Sequence, residues 1–411
     1  MTANDQDDGV VRLGGKPVVA AGESGSVETR EARPRDALRP ARYVLPTAIV
    51  YGSDAVGQLP SLLAEIGVEH PLVVTDRALA ASSVMLRVAS VLSSAGIRYG
   101  VFGGVQPDPT TGVVDEIAGI LRNGGHDGVV GLGGGSPMDA AKAASAGAAS
   151  GLAARDLVGQ DKVPCDPLPM VAIPTTAGTG SEVTRFAVLN DESAGTKVSI
   201  ASLRIMPRFA LLDPSLTTGL PAHLTASTGM DALAHAVESY GSVWNNPISE
   251  GLALHAISLV GEYLRAATEH PDDLVARAGM LAASCIAELA ANTTRLGLAH
   301  ALAVPLGATH HVPHGVGVAM LLGAMCGYNE VVDPLRYRRM SEAMGKAEVS
   351  MAEAVKALCK DLGLNARLRD FGVDKQDYRR VVAMAMKSDN VLANPRPAGA
   401  EDLIDLLAQA Q

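Results

Sequence analysis

The sequence predicts an α/β domain with a parallel sheet, followed by an all-helical domain. Three observations carry that reading. From about residue 43 to residue 213, short apolar runs alternate with stretches of helical period, the pattern of strands joined by crossover helices. Beyond Pro214, long Ala-, Leu- and Met-rich stretches of helical spacing follow, with no convincing strand among them. The glycine-rich run GVVGLGGGS stands at the end of an apolar strand, where parallel sheets bind their ligands.

The elements follow in order. Residues 1–41 mix acidic residues, Gly, Pro and an Arg cluster with little apolar periodicity. They read as an extension, flexible or docked on a neighbouring subunit. Residues 42–213 form the α/β domain. YVLPTAIVYG is a short apolar run and turn, AVGQLPSLLAEIG a helix and PLVVTD a strand. SSVMLRVASVLSSAG is a helix, RYGVFGGV a strand and VVDEIAGILRNGG a helix leading into DGVVGLGGGS. Residues 214–411 form the helical domain, with LTASTGMDALAHAVESYGS, SEGLALHAISLVGEYLRAA, DLVARAGMLAASCIAELA, VGVAMLLGAMCGYN and MAEAVKALCKDLG as its helices.

Composition narrows the function. Lys and Arg number 34 against 44 Asp and Glu, so the net charge is −10, and no basic stripe is expected for nucleic acid. Aromatic residues, at 3%, are too few to stack single-stranded bases. The four Cys have no paired spacing, which argues against a disulfide framework or a CxxC zinc site and fits a reducing, cytoplasmic compartment. The start MTANDQDDGVVRLGG lacks the basic and apolar regions of a secretory signal, and no uninterrupted apolar run of about 18 residues suggests a membrane span.

Two polar turns in the α/β half could bind a nucleotide. In DGVVGLGGGSPMDAAK, Gly133, Gly134, Gly135 and Ser136 follow a strand, and Pro137 stands where a first helical position is expected. Glycines allow close approach, and a helix N-terminus offers free N–H groups to a pyrophosphate. The run is neither GxGxxG nor a P-loop. In IPTTAGTGSEVT, Thr175, Thr176, Thr179 and Ser181 supply hydroxyls; the plainer reading is a helix cap. Asp76, in VVTDRAL, could accept hydrogen bonds from both hydroxyls of an adenosine ribose, or cap the next helix.

The helical half carries metal-ligand chemistry. Asp231 and His235 lie four residues apart on one helix face. His300 and His314 follow, and three imidazoles with one carboxylate match a divalent transition metal.

These motifs also carry a resemblance. GGGSPMDAAKA, PTTAGTGSEVT, GMDALAHAVESY and the pair LAHALAVPLG…VPHG resemble the iron-containing (group III) alcohol dehydrogenases, from about residue 43 to the closing NPRP at residues 394–397. The resemblance implies a Rossmann-like domain followed by a helical one, a dehydroquinate synthase-like architecture, with the active site in the cleft between them. It implies metal ligation by Asp231, His235, His300 and His314. It implies NAD(P) contacts from Asp76, Asp108, Gly134, Gly135, Ser136, Asp139, Thr175, Thr176, Thr179, Ser181 and Lys197. One position departs from the pattern: many relatives carry a further His four residues after His300, where this chain has Val304. His310 and His311 are the nearest catalytic replacements, with His311 favoured; the alternative is a pair of solvated loop histidines.

The expected activity is hydride transfer between NAD(H) and a small alcohol or aldehyde, with NADP disfavoured by Asp76. Fe²⁺ is the expected metal and Zn²⁺ its alternative. The expected assembly is a homo-oligomer, dimer or larger, with neither nucleic acid nor membrane as a partner. The rivals are a 2-hydroxy-acid:2-oxo-acid transhydrogenase of the same fold and a non-catalytic nucleotide-binding protein with a structural metal.

Overall fold

A computed structural model describes residues 40–193 and 195–411, so nearly all of the extension read at 1–41 lies outside the described residues. All described residues belong to one compact unit. Its strands are β1 (Ala48–Tyr51), β2 (Pro71–Asp76), β3 (Gly100–Val105), β4 (Gly128–Gly133), β5 (Gly159–Gln160), β6 (Met170–Pro174), β7 (Phe186–Asp191), β8 (Thr196–Ala201) and β9 (Phe209–Leu212). The helices of this half are α1 (Leu59–Glu65), α2 (Arg77–Ala80), α3 (Ser83–Ser94), α4 (Thr111–Asn123) and α5 (Gly135–Ser150).

The main sheet has six parallel strands in the order β1-β9-β6-β4-β2-β3. Its central strands are apolar runs rather than alternating ones, and every residue of β4, β6 and β9 is buried. That is what burial on both faces demands. On one face α1 and α3 pack Leu59, Leu63, Val88 and Leu92 against Val73, Val130 and Leu211. On the other, α4 and α5 pack Ile117, Leu121, Met138 and Ala141 against Leu72, Val129 and Ala172.

Strands β5, β8 and β7 form a second sheet, in which β7 and β8 are an antiparallel hairpin. The helix after the glycine turn begins at Gly135, two residues earlier than the sequence suggested. Pro137 therefore stands within its first turn, where its missing N–H costs no helical bond.

The second half is helical throughout the described residues: α6 (Ala222–Gly241), α7 (Pro247–Glu269), α8 (Leu274–Thr294), α9 (Leu298–His310), α10 (His314–Glu330), α11 (Pro334–Ala343), α12 (Met351–Asp361), α13 (Tyr378–Ala385), α14 (Asp389–Ala393) and α15 (Ala400–Gln409). One core runs through α6 to α15, from Leu233 and Val260 to Leu322 and Leu403. Among the described residues α8, though interrupted by Arg277 and Glu288, is long and apolar enough to cross a bilayer by length and composition. It is instead mostly buried inside the protein, with Arg277 and Glu288 enclosed along it.

Candidate metal and nucleotide site

α6 is enclosed along nearly its whole length, from Thr225 to Gly241 with one partial exception, so its polar residues have no solvent face. Asp231 and His235 sit one turn apart on it, both buried. α9 contributes His300 from its first turn, and α10 opens with His314, whose side chain keeps 37% of its exposure.

The donor atoms of Asp231, His300 and His314 all lie within 4.8 Å of one another. His300 Nε2 and His314 Nε2 are each 3.4 Å from Asp231 Oδ1. His235 stacks on His300, with ring centroids 4.7 Å apart and planes 17° from parallel. It does not bring a ring nitrogen into the three-residue group, and its Nδ1 lies 3.8 Å from Glu288 Oε2.

Electrostatics sharpen the cluster. Burial pushes the Asp231 carboxyl up, but the neighbouring His235, His314 and His300 outweigh it and hold it well below the usual range. Burial pulls His235 down to about 4, so it is a neutral imidazole at pH 7. Burial also pulls on His300, yet Glu238 and Asp231 overcome it and raise it to about 10. Three polar atoms stay buried without a hydrogen-bond partner: Asp231 Oδ1, His235 Nδ1 and His300 Nε2. Buried polar atoms are almost always paired. A carboxylate oxygen and an imidazole nitrogen orphaned toward a shared point, beside a second imidazole nitrogen, are the donor set of a divalent metal. The residues present therefore fit one.

The two nucleotide turns meet each other. A Cβ at Gly134 would come 3.2 Å from Thr176 Oγ1, and one at Gly135 would come 3.1 Å from Thr179 Cγ2. The smallness of these glycines thus already serves contact between the turns. Thr175 donates its N–H to Gly133 O at 3.0 Å. Asp139 is fully engaged by the protein: Oδ1 accepts from Ser181 Oγ at 2.6 Å, Oδ2 from the Val188 N–H at 3.0 Å, and Lys142 Nζ lies 3.2 Å away. Its place in the structure is to hold the second turn.

Lys142, which the sequence reading passed over, is completely buried. Its ammonium donates to Ser181 O, Thr184 Oγ1 and Phe186 O at 2.9, 3.0 and 2.5 Å. Gly180 has φ +57, and a Cβ there would lie 2.3 Å from Glu288 Cβ, so the second turn wedges directly against α8.

Asp76 ends β2 and caps α2, with Oδ1 accepting the Leu79 N–H at 2.9 Å. Asp108 accepts from Lys197 Nζ at 2.7 Å and donates its N–H to Ser136 Oγ at 3.3 Å. Both charges of that pair are felt at His314, which links the two polar turns to the Asp231–His300–His314 cluster. His310 turns elsewhere: Nδ1 pairs with Thr309 Oγ1 at 2.7 Å, and Nε2 lies 3.5 Å from Asp377. His311 caps α9 in the left-handed conformation and is exposed. Neither joins the three-residue group. Val304 stands on α9 at 39% exposure.

Comparison with known proteins places this arrangement. Residues 46–214 match the family described as iron-containing alcohol dehydrogenase, and residues 225–411 match the C-terminal domain of that family. The chain belongs to the iron-containing alcohol dehydrogenase family. Members of this family are oxidoreductases, and so is this protein. It is 35% identical to the 1,3-propanediol dehydrogenase of Klebsiella pneumoniae, over 90% of this chain and 98% of the relative. It is 34% identical to the lactaldehyde reductase of Escherichia coli, over 89% and 98%. Its fold matches a solved 1,3-propanediol oxidoreductase with a TM-score of 0.88 at 34% identity, covering 91% of this chain and all of that one. A sulfoacetaldehyde reductase from Bifidobacterium kashiwanohense, solved in complex with NAD⁺, matches with a TM-score of 0.85 at 32% identity, over 90% and 98%.

Proposed function

We propose that this iron-containing alcohol dehydrogenase relative is a metal-dependent, NAD(H)-linked enzyme acting on a small alcohol or aldehyde. The observation that carries the reading is the convergence of Asp231, His300 and His314 on one point, with the donor atoms of Asp231 and His300 buried and unpartnered. We assign the metal to these three and to His235 beside them, as Fe²⁺ before Zn²⁺. The relatives named for propanediol, lactaldehyde and sulfoacetaldehyde support a small oxygenated substrate, and the NAD⁺ complex among them supports the cofactor.

The residues divide the work. One carboxylate and three neutral imidazoles leave a divalent cation with net positive charge, and it would supply Lewis-acid polarisation of the substrate oxygen. NAD(H) would supply or accept the hydride. The turn at Gly134, Gly135 and Ser136 opens α5 and offers N–H groups to a pyrophosphate. Thr175, Thr176, Thr179 and Ser181 flank that turn from a second turn that Asp139 and Lys142 hold in place, and Asp76 faces the ribose. Lys197 and Asp108 border the cluster at His314. His311, exposed at the end of α9, carries the proton between substrate and solvent. Four free cysteines among the described residues support a reducing, cytoplasmic compartment, and we expect a homo-oligomer.

The test is anaerobic NADH oxidation over a panel of aldehydes with Fe²⁺- and Zn²⁺-loaded protein, alongside metal analysis of wild type and His300→Ala. The reading expects about one metal per chain, turnover in the wild type, and loss of both in the variant. Full metal content and activity in His300→Ala overturn the site. Hydride exchange between two substrates without turnover of free NADH identifies the transhydrogenase instead.

A further inference from the structure

One carboxylate behind the cluster joins two of its helices. Glu238 lies on α6, seven residues after Asp231 and three after His235, on the same face, and its side chain is entirely buried. It reaches across to the start of α9. There Oε1 accepts the N–H of Ala299 at 2.8 Å and that of His300 at 3.4 Å. Oε2 takes a short hydrogen bond from His300 Nδ1.

The N-cap residue of α9 is Gly297, which has no side chain to perform that duty. A Cβ at Gly297 would stand 2.9 Å from Glu238 Oε1 and 3.2 Å from its Cδ. The carboxylate thus fills the space a capping side chain would occupy and accepts the second and third N–H groups of the helix. α9 is capped from α6, and the capping atom group is the one that grips His300.

We propose that Glu238 is the positioning residue of the metal centre, fixing the His300 imidazole so that Nε2 is the donor atom. The proposal rests on the metal reading above. His300 ligates as a neutral imidazole once a cation displaces the second proton that Glu238 and Asp231 hold on the metal-free ring, and that form carries one N–H and one lone pair. A carboxylate accepts only, so it claims the N–H at Nδ1 and leaves the lone pair at Nε2. That nitrogen is the one 3.4 Å from Asp231 Oδ1, buried and without a hydrogen-bond partner. The other tautomer would set a lone pair against an anion. His235 lacks an equivalent grip, because Glu288 lies 3.8 Å from its Nδ1, beyond hydrogen-bond reach. His300 is therefore the ligand whose direction is set before the metal arrives.

Glu238→Gln separates capping from positioning. The amide oxygen can still accept from Ala299 and His300. The amide NH₂ would then meet Nδ1 as a donor and move the imidazole hydrogen to Nε2, where it blocks ligation. Zn²⁺ affinity is measured by chelator competition, and the visible spectrum is recorded on the Co²⁺ form, for full-length wild type and variant. The unfolding temperature of each metal-free protein is the control for capping. We expect affinity to fall about 10- to 100-fold with an altered Co²⁺ spectrum, on the usual scale for a carboxylate behind a ligating histidine. The metal-free unfolding temperature measures the cost of losing the Glu238–His300 charge pair by itself, and the positioning role requires the Zn²⁺ affinity to fall in protein that is still folded. Gly297→Ala is the second variant: it displaces the carboxylate without changing any donor group, and it should weaken Zn²⁺ in the same sense if the Gln protein fails to fold. Wild-type affinity and spectrum in the folded variants overturn the role of Glu238. Wild-type protein that takes up no metal overturns the metal reading itself, a different result from the same experiment.

Discussion

Glu182 offers a direct test of how the fold treats charge at the junction of its two halves. It sits in the second nucleotide turn at 1% exposure, and its Oε1 has no hydrogen-bond partner. Burial raises its pKa from 4.5 to about 7, against smaller opposing effects of a backbone hydrogen bond and Lys142. The folded state therefore holds a proton that the unfolded chain has released. Below pH 4.5 both states are protonated and stability is fully present. As pH climbs from 4.5 through 7, the unfolded state ionises first, and stability falls. Above pH 7 both are ionised, and the accumulated loss is about 3 kcal/mol at 1.36 kcal/mol per pKa unit. Glu182→Gln removes the titration while keeping the shape. Any fixed cost of the buried amide is the same at every pH, so the signature lies in the slope. Urea unfolding at pH 5 and pH 8 should show the variant gaining about 2 kcal/mol on wild type between the two. Parallel profiles, within about 0.5 kcal/mol, would refute the argument and mean that Glu182 is ionised in the folded protein throughout.

Three further outcomes follow from single side chains. Lys142→Met should destabilise the protein by about 1–3 kcal/mol and weaken NADH binding, because it takes the buried ammonium away from Ser181 O, Thr184 Oγ1 and Phe186 O and frees the second turn from α5; thermal unfolding and NADH titration read the two effects. Arg295 holds φ +60 and ψ 178, a region almost reserved for glycine, so Arg295→Gly should stabilise by about 1 kcal/mol in urea unfolding, and a loss of stability would show that its contacts with Phe186 and Asp389 outweigh the strain. Wild type should prefer NADH to NADPH by at least about tenfold in kcat/KM, since one charge-assisted ribose bond is worth about 1.5–3 kcal/mol, and Asp76→Gly should narrow the ratio; an unmoved ratio leaves Asp76 as the cap of α2 alone.

Much of this was readable in the sequence, and what was not has physical reasons. The alternation of PLVVTD, RYGVFGGV and DGVVGLGGGS with helical stretches gives β2, β3 and β4; β2 and β4 are apolar because they are buried on both faces, while β3 stands at the sheet edge and is half exposed. The hairpin of β7 and β8 passed unnoticed, since FAVLND and TKVSIA mix polar and apolar residues on a half-exposed sheet. Asp231, His300 and His314 were legible by residue type and spacing; that His235 stacks on His300 instead of pointing a nitrogen into the group is a matter of rotamer, which spacing does not encode. Lys142, Glu182 and Glu238 were invisible for one shared reason. A charged residue in a helical or turn pattern reads as a solvated face, and only the tertiary fold reveals that no solvent is there. His310 looked like a neighbour of His311 and His314, but α9 carries it toward Asp377.

The enclosure of α6 is what makes the cluster informative. A helix with no solvent face normally presents aliphatic residues all round, and α6 largely does, through Met230, Leu233, Ala234 and Val237. Against that background it buries Asp231, His235 and Glu238 in a single row. Leaving a buried polar group unpaired costs about 1–3 kcal/mol, and more when it is charged. Glu238 escapes that cost, because two backbone N–H groups and an imidazole occupy its oxygens. Asp231 Oδ1 and His300 Nε2 do not escape it within the chain. Glu238 and Asp231 lie in one row of one helix, so packing alone does not account for the contrast between them. Glu238 meets donors on α9 within hydrogen-bond reach, whereas Asp231 Oδ1 meets the ring nitrogens of His300 and His314 at 3.4 Å with no hydrogen bond formed. Polar atoms that a fold completes on one side and leaves to each other on the other are the arrangement on which the proposed cation site rests.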